Sequence, residues 1–272
     1  MGGAGVLARV VVHPVKSLGG VDVPHALVEP QGLRGDRRWM VVDPQGVTVT
    51  AREVPRMLGI GALPTGDGLV LSAPGRADLP VAEPAPDPTV EVAMNRVGRA
   101  TAAGGEADAW LSEAIGRDVR LVWLDDPRRR SVSPGHGGLP GDTLGFQDAG
   151  PVHLTPSASL AQLNRWLADE QDHPPLPMDR FRPTVVVDGD LEPFVEDTWG
   201  RVRIGDVVLR FGERCDRCVL TTVDLGTLRT SKEPTRTLAR HRREDGKVWF
   251  GIRLIPEAPG TIAVGDAVVP LP

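Results

Sequence analysis

The chain has 272 residues, of which 40% are hydrophobic and 25% are charged, and its formal net charge at pH 7 is −5. This length and composition are typical of one large globular domain or two modest ones, and the acidic balance provides no overall field that would hold a nucleic acid or an anionic membrane. No stretch approaches the roughly 18 consecutive apolar residues of a membrane span, and the start lacks a basic region followed by an apolar one, so we predict a cytoplasmic protein without a membrane or nucleic-acid partner.

The first hundred residues or so are predicted to form short strands. Apolar, β-branched runs bounded by Gly, Pro or Asp indicate strands at residues 6–12, 39–42, 47–51, 69–72, 90–93 and 98–101. Residues 73–88 are rich in Pro and Ala, which is typical of an exposed connection. A succession of short strands of this kind predicts a small barrel or sandwich.

From residue 105 onward, helices join the strands. Apolar residues recur at helical spacing in 107–115, which ends before Gly116, and in 157–167, where Ser157 is the predicted N-cap. Residues 234–243 are also predicted to be helical, because Pro234 lies at the first position and basic residues lie at the end. Further strands are predicted at residues 119–124, 152–155, 184–187, 201–204, 207–211, 248–255 and 261–269. The fold class is therefore mixed α+β and mostly β.

A long polar stretch, residues 125–145, interrupts this pattern. It contains three consecutive arginines and a cluster of glycines, and loops of this length without structure are usually functional or disordered. We predict that it is a mobile loop that links two domains, residues 1–125 and residues 126–272.

Two cysteines, Cys215 and Cys218, form a closely spaced pair. A structural zinc site needs about four ligands, and a thioredoxin-type pair belongs between a strand and a helix, whereas here a β-like run at residues 219–223 follows the pair. Two small buried hydrophobic residues are a further interpretation. Arg214 and Arg217 favour a reactive thiolate at one of the two, because nearby positive charge lowers a thiol pKa.

Basic residues in other segments are candidates for an anion site. Lys16 and Ser17 follow the first predicted strand, Arg37 lies in Gly35-Asp-Arg-Arg-Trp39, and Arg182 lies in Phe181-Arg-Pro183. A phosphate prefers the fork of an arginine, the charge of a lysine, a hydroxyl and free backbone N–H groups. Sequence spacing alone does not indicate that these residues meet.

The sequence resembles a known family at several of these segments. Residues 15–18, 32–39 and 50–56 are similar to the N-terminal β-barrel domain that accompanies MOSC domains, which are named for the C-terminal part of molybdenum cofactor sulfurases. The MOSC domain itself is resembled by six segments in family order, at residues 146–151, 158–164, 181–183, 217–224, 232–238 and 259–266. The pattern is similar to that of the mitochondrial amidoxime-reducing component and of bacterial MOSC proteins that reduce N-hydroxylated compounds. The resemblance implies an N-terminal β-barrel-like domain and a C-terminal MOSC β-barrel with peripheral helices.

The resemblance also implies a molybdenum cofactor, Mo-molybdopterin, and a set of residues that hold it. The metal ligand of the family is the Cys of an Arg-Cys-x-x-Thr-x-Val-Asp run, which corresponds to Cys218 as ligand and catalytic residue and leaves Cys215 as packing or support. The family's phosphate contacts correspond to Lys16, Ser17 and Arg37, and a further cofactor contact corresponds to Arg182. The other implied cofactor-binding positions are Ala149, Gly150, Thr184, Asp216 and Arg217.

This sequence departs from the family pattern at some of these positions. Ala149 and Gly150 stand where the animal proteins have Thr-Ser, so contacts there would use backbone N–H groups. Thr184 stands in place of an Asn. Asp216 stands in place of a Ser, and its carboxylate is unfavourable beside an anionic cofactor unless an arginine pairs with it. Because the implied residues come from both halves of the chain, we expect the cofactor in a cleft between the two units.

The function that the resemblance implies is an oxidoreductase that removes oxygen from small N-hydroxylated substrates. Electrons would come from a separate ferredoxin or flavoprotein, because no cysteines remain for an iron–sulfur centre. The alternative is a cofactor or sulfur carrier without reductase activity. A zinc or thiol-redox protein is a third hypothesis, which depends on the cysteine pair alone.

Overall fold

The computed structural model describes residues 5–94 and 97–271, and it is mostly β, with 37% of residues in strands and 21% in helices. The predicted fold class is confirmed. The elements of the first part are β1 (Gly5–Val12), β2 (Val21–Val23), β3 (His25–Glu29), β4 (Gly32–Leu33), β5 (Trp39–Val42), β6 (Gly61–Pro64), β7 (Gly68–Ser72), β8 (Leu79–Ala82), β9 (Thr89–Val92), β10 (Gly98–Ala102), α1 (Gly105–Ile115) and β11 (Arg120–Trp123). Those of the second part are β12 (Val152–Pro156), α2 (Ser157–Gln171), β13 (Val185–Asp188), β14 (Arg201–Ile204), β15 (Val207–Asp216), α3 (Thr235–His241), β16 (Arg243–Glu244), β17 (Lys247–Pro256), β18 (Gly260–Ala263) and β19 (Ala267–Leu271).

Seven strands close into a barrel in the order β12, β13, β1, β19, β14, β15 and β17, and β17 pairs back with β12. Six of these strands come from the second part of the chain, whereas β1 comes from the first and pairs with both β13 and β19. The barrel encloses a core of aliphatic side chains that includes Leu7, Val185, Val202 and Ile252. The N-terminal strand is therefore built into the same core as the second half.

The rest of the first part forms smaller sheets beside this barrel. One sheet has the order β5, β11, β10 and β9, another has the order β6, β7 and β8, and β3 joins β4 to β18. Trp39, Met57, Leu111 and Leu121 share a second core, which the apolar face of α1 covers. Helix α1 ends as predicted, because Gly116 adopts a left-handed φ of 79° that favours glycine.

Two predictions in the first part are wrong. Residues 47–51 do not form a strand and contribute only one isolated antiparallel bridge, between Thr48 and Val42. The side chain of Asp43 closes the turn before them, since it accepts hydrogen bonds from the N–H groups of Gln45 and Val47, both at 2.9 Å. The supposed connection at residues 73–88 contains β8, whose Leu79 and Val81 are buried on one face. The high Pro and Ala content of that segment obscured the alternation of buried and exposed residues along β8.

Several details of the second part also differ from the predictions. Residues 219–223 are not β-structure, because a 3₁₀ helix spans Val219–Thr222. Helix α2 extends to Gln171, and Ser157 is its first residue and not its N-cap. The single strand predicted at 261–269 is two strands, β18 and β19, separated by a turn at Gly265.

The segment 125–145 is held against the barrel, contrary to the expected mobile loop. Val132 and Leu144 are buried with Ile255 of β17 in a small apolar cluster. Nη1 of Arg210 donates to the carbonyl oxygen of Gly137 at 2.6 Å. These contacts fix the segment on the barrel wall. In the part of the chain that the structure describes, no helix is both long and apolar enough to cross a membrane.

Candidate functional site

A cleft with an open volume of about 780 Å³ lies where the two parts of the chain meet. This volume includes the open solvent at the mouth of the cleft. All ten residues that the sequence predicts as cofactor-binding line it, together with ten that it did not predict. The predicted set is Lys16, Ser17, Arg37, Ala149, Gly150, Arg182, Thr184, Asp216, Arg217 and Cys218.

Three of the lining residues have left-handed backbone conformations. Ser17, Arg37 and Arg182 have φ values of 71°, 46° and 52°. Such conformations cost non-glycine residues about 1–3 kcal/mol and concentrate at functional sites. Each of these turns is held by a backbone hydrogen bond, such as the one from Arg37 N–H to the carbonyl oxygen of His13 at 2.7 Å. The fold therefore maintains strained turns where these side chains enter the cleft.

Lys16 and Arg52 share one carboxylate at the edge of the cleft. Nζ of Lys16 donates to the carbonyl oxygen of Phe146 at 2.9 Å and contacts Asp148, whose other oxygen lies 2.9 Å from Nη2 of Arg52. Desolvation opposes the ionisation of Asp148, but Lys16 and Arg52 outweigh it and hold its pKa well below the usual range. Burial lowers the pKa of Lys16 despite this partner. Two cations, Lys16 and Arg52, thus face the single carboxylate of Asp148, which leaves positive charge for an anionic ligand.

Arg37 and Arg182 both line the cleft, but only the charge of Arg37 is balanced by a direct carboxylate partner. Nη1 of Arg37 donates to both oxygens of the fully buried Asp36, at 2.9 and 2.8 Å. Nη2 of Arg182 is buried and has no hydrogen-bond partner among the residues that the structure describes. Burial and the neighbouring Arg37 lower the pKa of Arg182 to about 9. Arg182 is therefore a partly buried cation that forms no ion pair among the described residues and whose buried Nη2 has no hydrogen-bond partner there.

The two cysteines have different surroundings. Cys218 is exposed and precedes the 3₁₀ helix Val219–Thr222, and the guanidinium of Arg52 lies beside its thiol. Cys215 is buried at the end of β15, and Nη1 of Arg217 donates to its sulfur at 2.8 Å. Although burial raises the pKa of Cys215, the charges of Arg217, His153 and Arg253 lower it to about 5. Of the two, only Cys218 is open to a ligand.

The remaining predicted residues shape the wall of the cleft more than they provide hydrogen-bond donors to a ligand. Asp216 pairs with Arg253 at 2.7 Å, which supplies the arginine that a carboxylate at this place requires. A Cβ at Gly150 would lie 2.7 Å from the side chain of Arg253, so this position has no room for a larger residue. The hydroxyl of Thr184 accepts a hydrogen bond from the N–H of His153 at 3.1 Å.

The charges that line the cleft are mostly positive, although the chain is acidic overall. Six cationic side chains face two carboxylates, those of Asp148 and Asp216. Sequence reasoning did not assign Arg52 or Arg253 to the site. Arg253 had a visible signal, since it is a charge inside the apolar run 248–255. The six cations are Lys16, Arg37, Arg52, Arg182, Arg217 and Arg253.

The protein alone offers little to a metal ion. Within residues 5–94 and 97–271, no group of three or more His, Cys, Asp or Glu side chains is arranged to hold one. This disfavours the zinc hypothesis, because a zinc site takes at least three protein ligands. A metal held here by Cys218 would need most of its ligands from a cofactor.

Comparison with known proteins covers both parts of the chain. Residues 141–269 match the MOSC domain, and residues 4–118 match the MOSC N-terminal beta barrel domain. The chain is 35% identical to mitochondrial amidoxime-reducing component 1 of Homo sapiens, over 97% of this chain and 82% of that protein. It is 33% identical to mitochondrial amidoxime reducing component 2 of Rattus norvegicus over the same shares. The molybdenum cofactor sulfurase of Oryza sativa subsp. japonica is 32% identical over 91% of this chain, which spans only 32% of that longer protein. The chain therefore belongs to the MOSC family and carries both the MOSC domain and its N-terminal barrel domain.

Proposed function

We propose that the cleft binds a molybdenum cofactor of the pterin type and that the protein reduces small N-hydroxylated compounds. The observation that carries this proposal is a cationic cleft with an exposed thiol, Cys218, and an arginine, Arg182, whose buried Nη2 has no hydrogen-bond partner among the described residues. A phosphorylated pterin with one thiolate-bound metal requires this donor set, so the residues fit the cofactor. The relatives named as amidoxime-reducing components support the choice of substrate class.

The phosphate of the cofactor would be held by Lys16, Ser17 and Arg37. These residues provide a point charge, a hydroxyl and an arginine fork, the donors that phosphates prefer. Arg52 gives Asp148 a second partner, so Lys16 can bind an anion without leaving that carboxylate unpaired. The negative charge of a phosphate would also stabilise the desolvated cations Lys16 and Arg37 at this end of the cleft.

The other predicted residues would orient the pterin and the metal. Arg182 and Arg217 would face the cofactor with their guanidinium groups, while Ala149 and Gly150 would offer backbone N–H groups. Cys218 would hold the metal through its thiolate. When bound, the cofactor supplies the two-electron redox chemistry, and the protein supplies orientation and charge.

Metal content and turnover test this proposal together. Protein made in a host that synthesises the cofactor is expected to contain about one molybdenum per chain, because a resident cofactor that carries the chemistry has to occupy each active site. It should reduce a model amidoxime to the amidine with an artificial electron donor. Protein from a host that lacks the cofactor pathway is the matched control. Absence of molybdenum in both preparations would refute the proposal.

A carrier or sulfur-transfer role is the second candidate. The exposed thiol of Cys218 and the similarity to a molybdenum cofactor sulfurase favour it. In that case the protein would bind molybdenum cofactor at the same level but would not reduce the amidoxime. Transfer of the cofactor to an apo-enzyme would then be measurable.

The electron donor and the location belong to the same proposal. The reductase would receive electrons from a separate protein of the ferredoxin or flavoprotein type, and reduction of the amidoxime with purified candidates would identify which. A cytoplasmic location stays a prediction. The word mitochondrial in the names of the relatives describes those proteins.

A further inference from the structure

The sulfur of Cys215 is enclosed by positively charged and hydrogen-bonding groups from three parts of the barrel. Cys215 is only 5% exposed. Nη1 of Arg217, from the turn after β15, donates to its sulfur at 2.8 Å and lies 3.5 Å from Nε2 of His153 on β12. Arg253 on β17 contributes a further positive charge. A neutral thiol is a poor acceptor, so this arrangement suits a thiolate.

Arg217 needs an anion, and Cys215 is the one beside it. Among the residues that the structure describes, no carboxylate forms an ion pair with Arg217, and its Nε is buried without a partner. Arg253 differs, because Glu213 and Asp216 pair with it. A guanidinium that is partly buried without a counter-charge is costly, because its buried part loses solvation. An ionised Cys215 removes that cost.

We infer that Cys215 is a buried thiolate that anchors Arg217 and so fixes the turn from which Cys218 projects. Arg217 is held at three points, since Nη2 donates to the carbonyl oxygen of Phe181 at 2.9 Å and its own N–H donates to that of Val248 at 2.8 Å. Arg217 directly precedes Cys218 in the chain. Cys215 is thus a positioning residue and not a small packing residue. This inference concerns the free protein and does not depend on the proposed reductase activity.

Titration of a single thiol tests the charge of Cys215 directly. The chain has two cysteines, so C218A leaves Cys215 alone. We expect the ultraviolet absorbance of the thiolate to be fully present at neutral pH and to disappear only on acidification, since the pKa is lowered to about 5. The same protein unfolded in guanidinium chloride should titrate at the ordinary thiol value of about 8.5. A folded midpoint that stays near the unfolded one would overturn the inference.

Two arginine variants test the partner. In the C218A background, R217Q should move the thiolate midpoint towards the alkaline side by at least one pH unit, because the donor at 2.8 Å is lost. R214Q is the matched control. Arg214 is next to Cys215 in sequence, but it pairs with Glu244 and stacks on Trp249, so the midpoint should not move. Equal shifts from both variants would show that general charge, and not this contact, sets the ionisation.

The pH dependence of unfolding separates positioning from packing. The folded pKa lies below the unfolded one, so the thiolate stabilises fully above the unfolded pKa and this contribution is lost as the pH falls through the folded pKa of about 5. The stability advantage of C218A over C215S/C218A should therefore grow as the pH rises from 5 towards 8. A difference that is constant with pH would mean that Cys215 only packs. If C215S/C218A does not fold, the thiol titration above still decides the question.

Discussion

Most charged side chains of the cleft form hydrogen bonds or ion pairs with one another. Arg253 binds Asp216, Arg217 binds Cys215, and Lys16 shares Asp148 with Arg52. Arg182 is the exception, since its buried Nη2 has no partner among the described residues. A cleft that keeps such a group is prepared for an anion, because burial of an unpaired cation otherwise only destabilises the fold.

Substitution of Cys218 should remove the metal and leave the fold intact. Cys218→Ser is expected to lower the molybdenum content at least tenfold, because a serine hydroxyl is a much poorer ligand for a soft metal than a thiolate. The melting temperature should change little, since Cys218 is exposed. Val219→Ala, at a neighbouring residue that is 50% exposed, is the control. Metal analysis and thermal melts measure both effects; full molybdenum content in Cys218→Ser would show that the ligand is elsewhere.

Arg182 should affect stability and cofactor retention in opposite directions. Arg182→Met removes a desolvated cation, so the cofactor-free protein should gain about 1 kcal/mol in its free energy of unfolding. The same variant should retain several-fold less pterin, measured by its fluorescence after release. Arg201→Met, which removes an exposed arginine that pairs with Glu257, is the control for the change of residue type. A loss of stability together with normal retention would assign Arg182 a purely structural role.

At the scale of elements, strong local patterns were predictable and contacts between distant elements were not. Helix α1 follows from apolar spacing and Gly116, and the strands of the barrel follow from β-branched runs. The place of Arg253 beside Asp216 depends on how β15 pairs with β17, where the register shifts twice. Such irregularities are set by packing on both faces, which a single sequence does not display. For the same reason, the sequence could not show which cysteine is buried.

The resemblance of short segments compensated for this limit at the site. All ten residues carried over from the family line one cleft, although their spacing alone gave no sign that they meet. Arg52 lay inside one of the resembling segments, but no family role was attached to it. Its position beside Asp148 and Cys218 required the fold.

One helix-to-turn contact makes stability depend on pH. Glu196 is fully buried, and the hydroxyl of Ser159 on α2 lies 3.0 and 2.9 Å from its two oxygens. Burial raises the pKa of Glu196 to about 8. A raised folded pKa gives a contribution that is present below the unfolded pKa of about 4.3 and is lost as the pH rises through the folded value.

The stability of Glu196→Gln relative to the wild type should therefore increase as the pH rises. The variant keeps a hydrogen-bonding group of similar size but does not ionise, so its stability relative to the wild type should increase between pH 5 and pH 8, by about 1–3 kcal/mol. Glu192→Gln, at an exposed residue of the same turn region, is the control. Denaturant unfolding at several pH values measures the difference. A constant difference would show that Glu196 is ionised in the folded protein.

For the whole molecule, the main feature is that the barrel uses strands from both ends of the chain. β1 closes the gap between β13 and β19, and Leu7 and Val10 lie in the barrel core. Without β1 the barrel would have two open edges, and open edges expose unpaired N–H and C=O groups and promote aggregation. The proposed boundary between residues 1–125 and 126–272 therefore follows the two sequence families that match the chain. We do not expect it to divide the chain into two parts that fold independently.

Expression of the two parts tests this view. Residues 126–272 alone are expected to lack a cooperative unfolding transition, because six strands do not close the barrel. Co-expression with residues 1–125 should restore it, and the two fragments should purify together as a complex. Residues 1–125 with Val10→Asp are the control, since a charge at this buried position of β1 should prevent insertion and abolish co-purification. Near-ultraviolet circular dichroism and denaturant unfolding report the outcome; cooperative unfolding of residues 126–272 alone would show that the second part folds without β1 and that the cleft forms by docking of two finished domains.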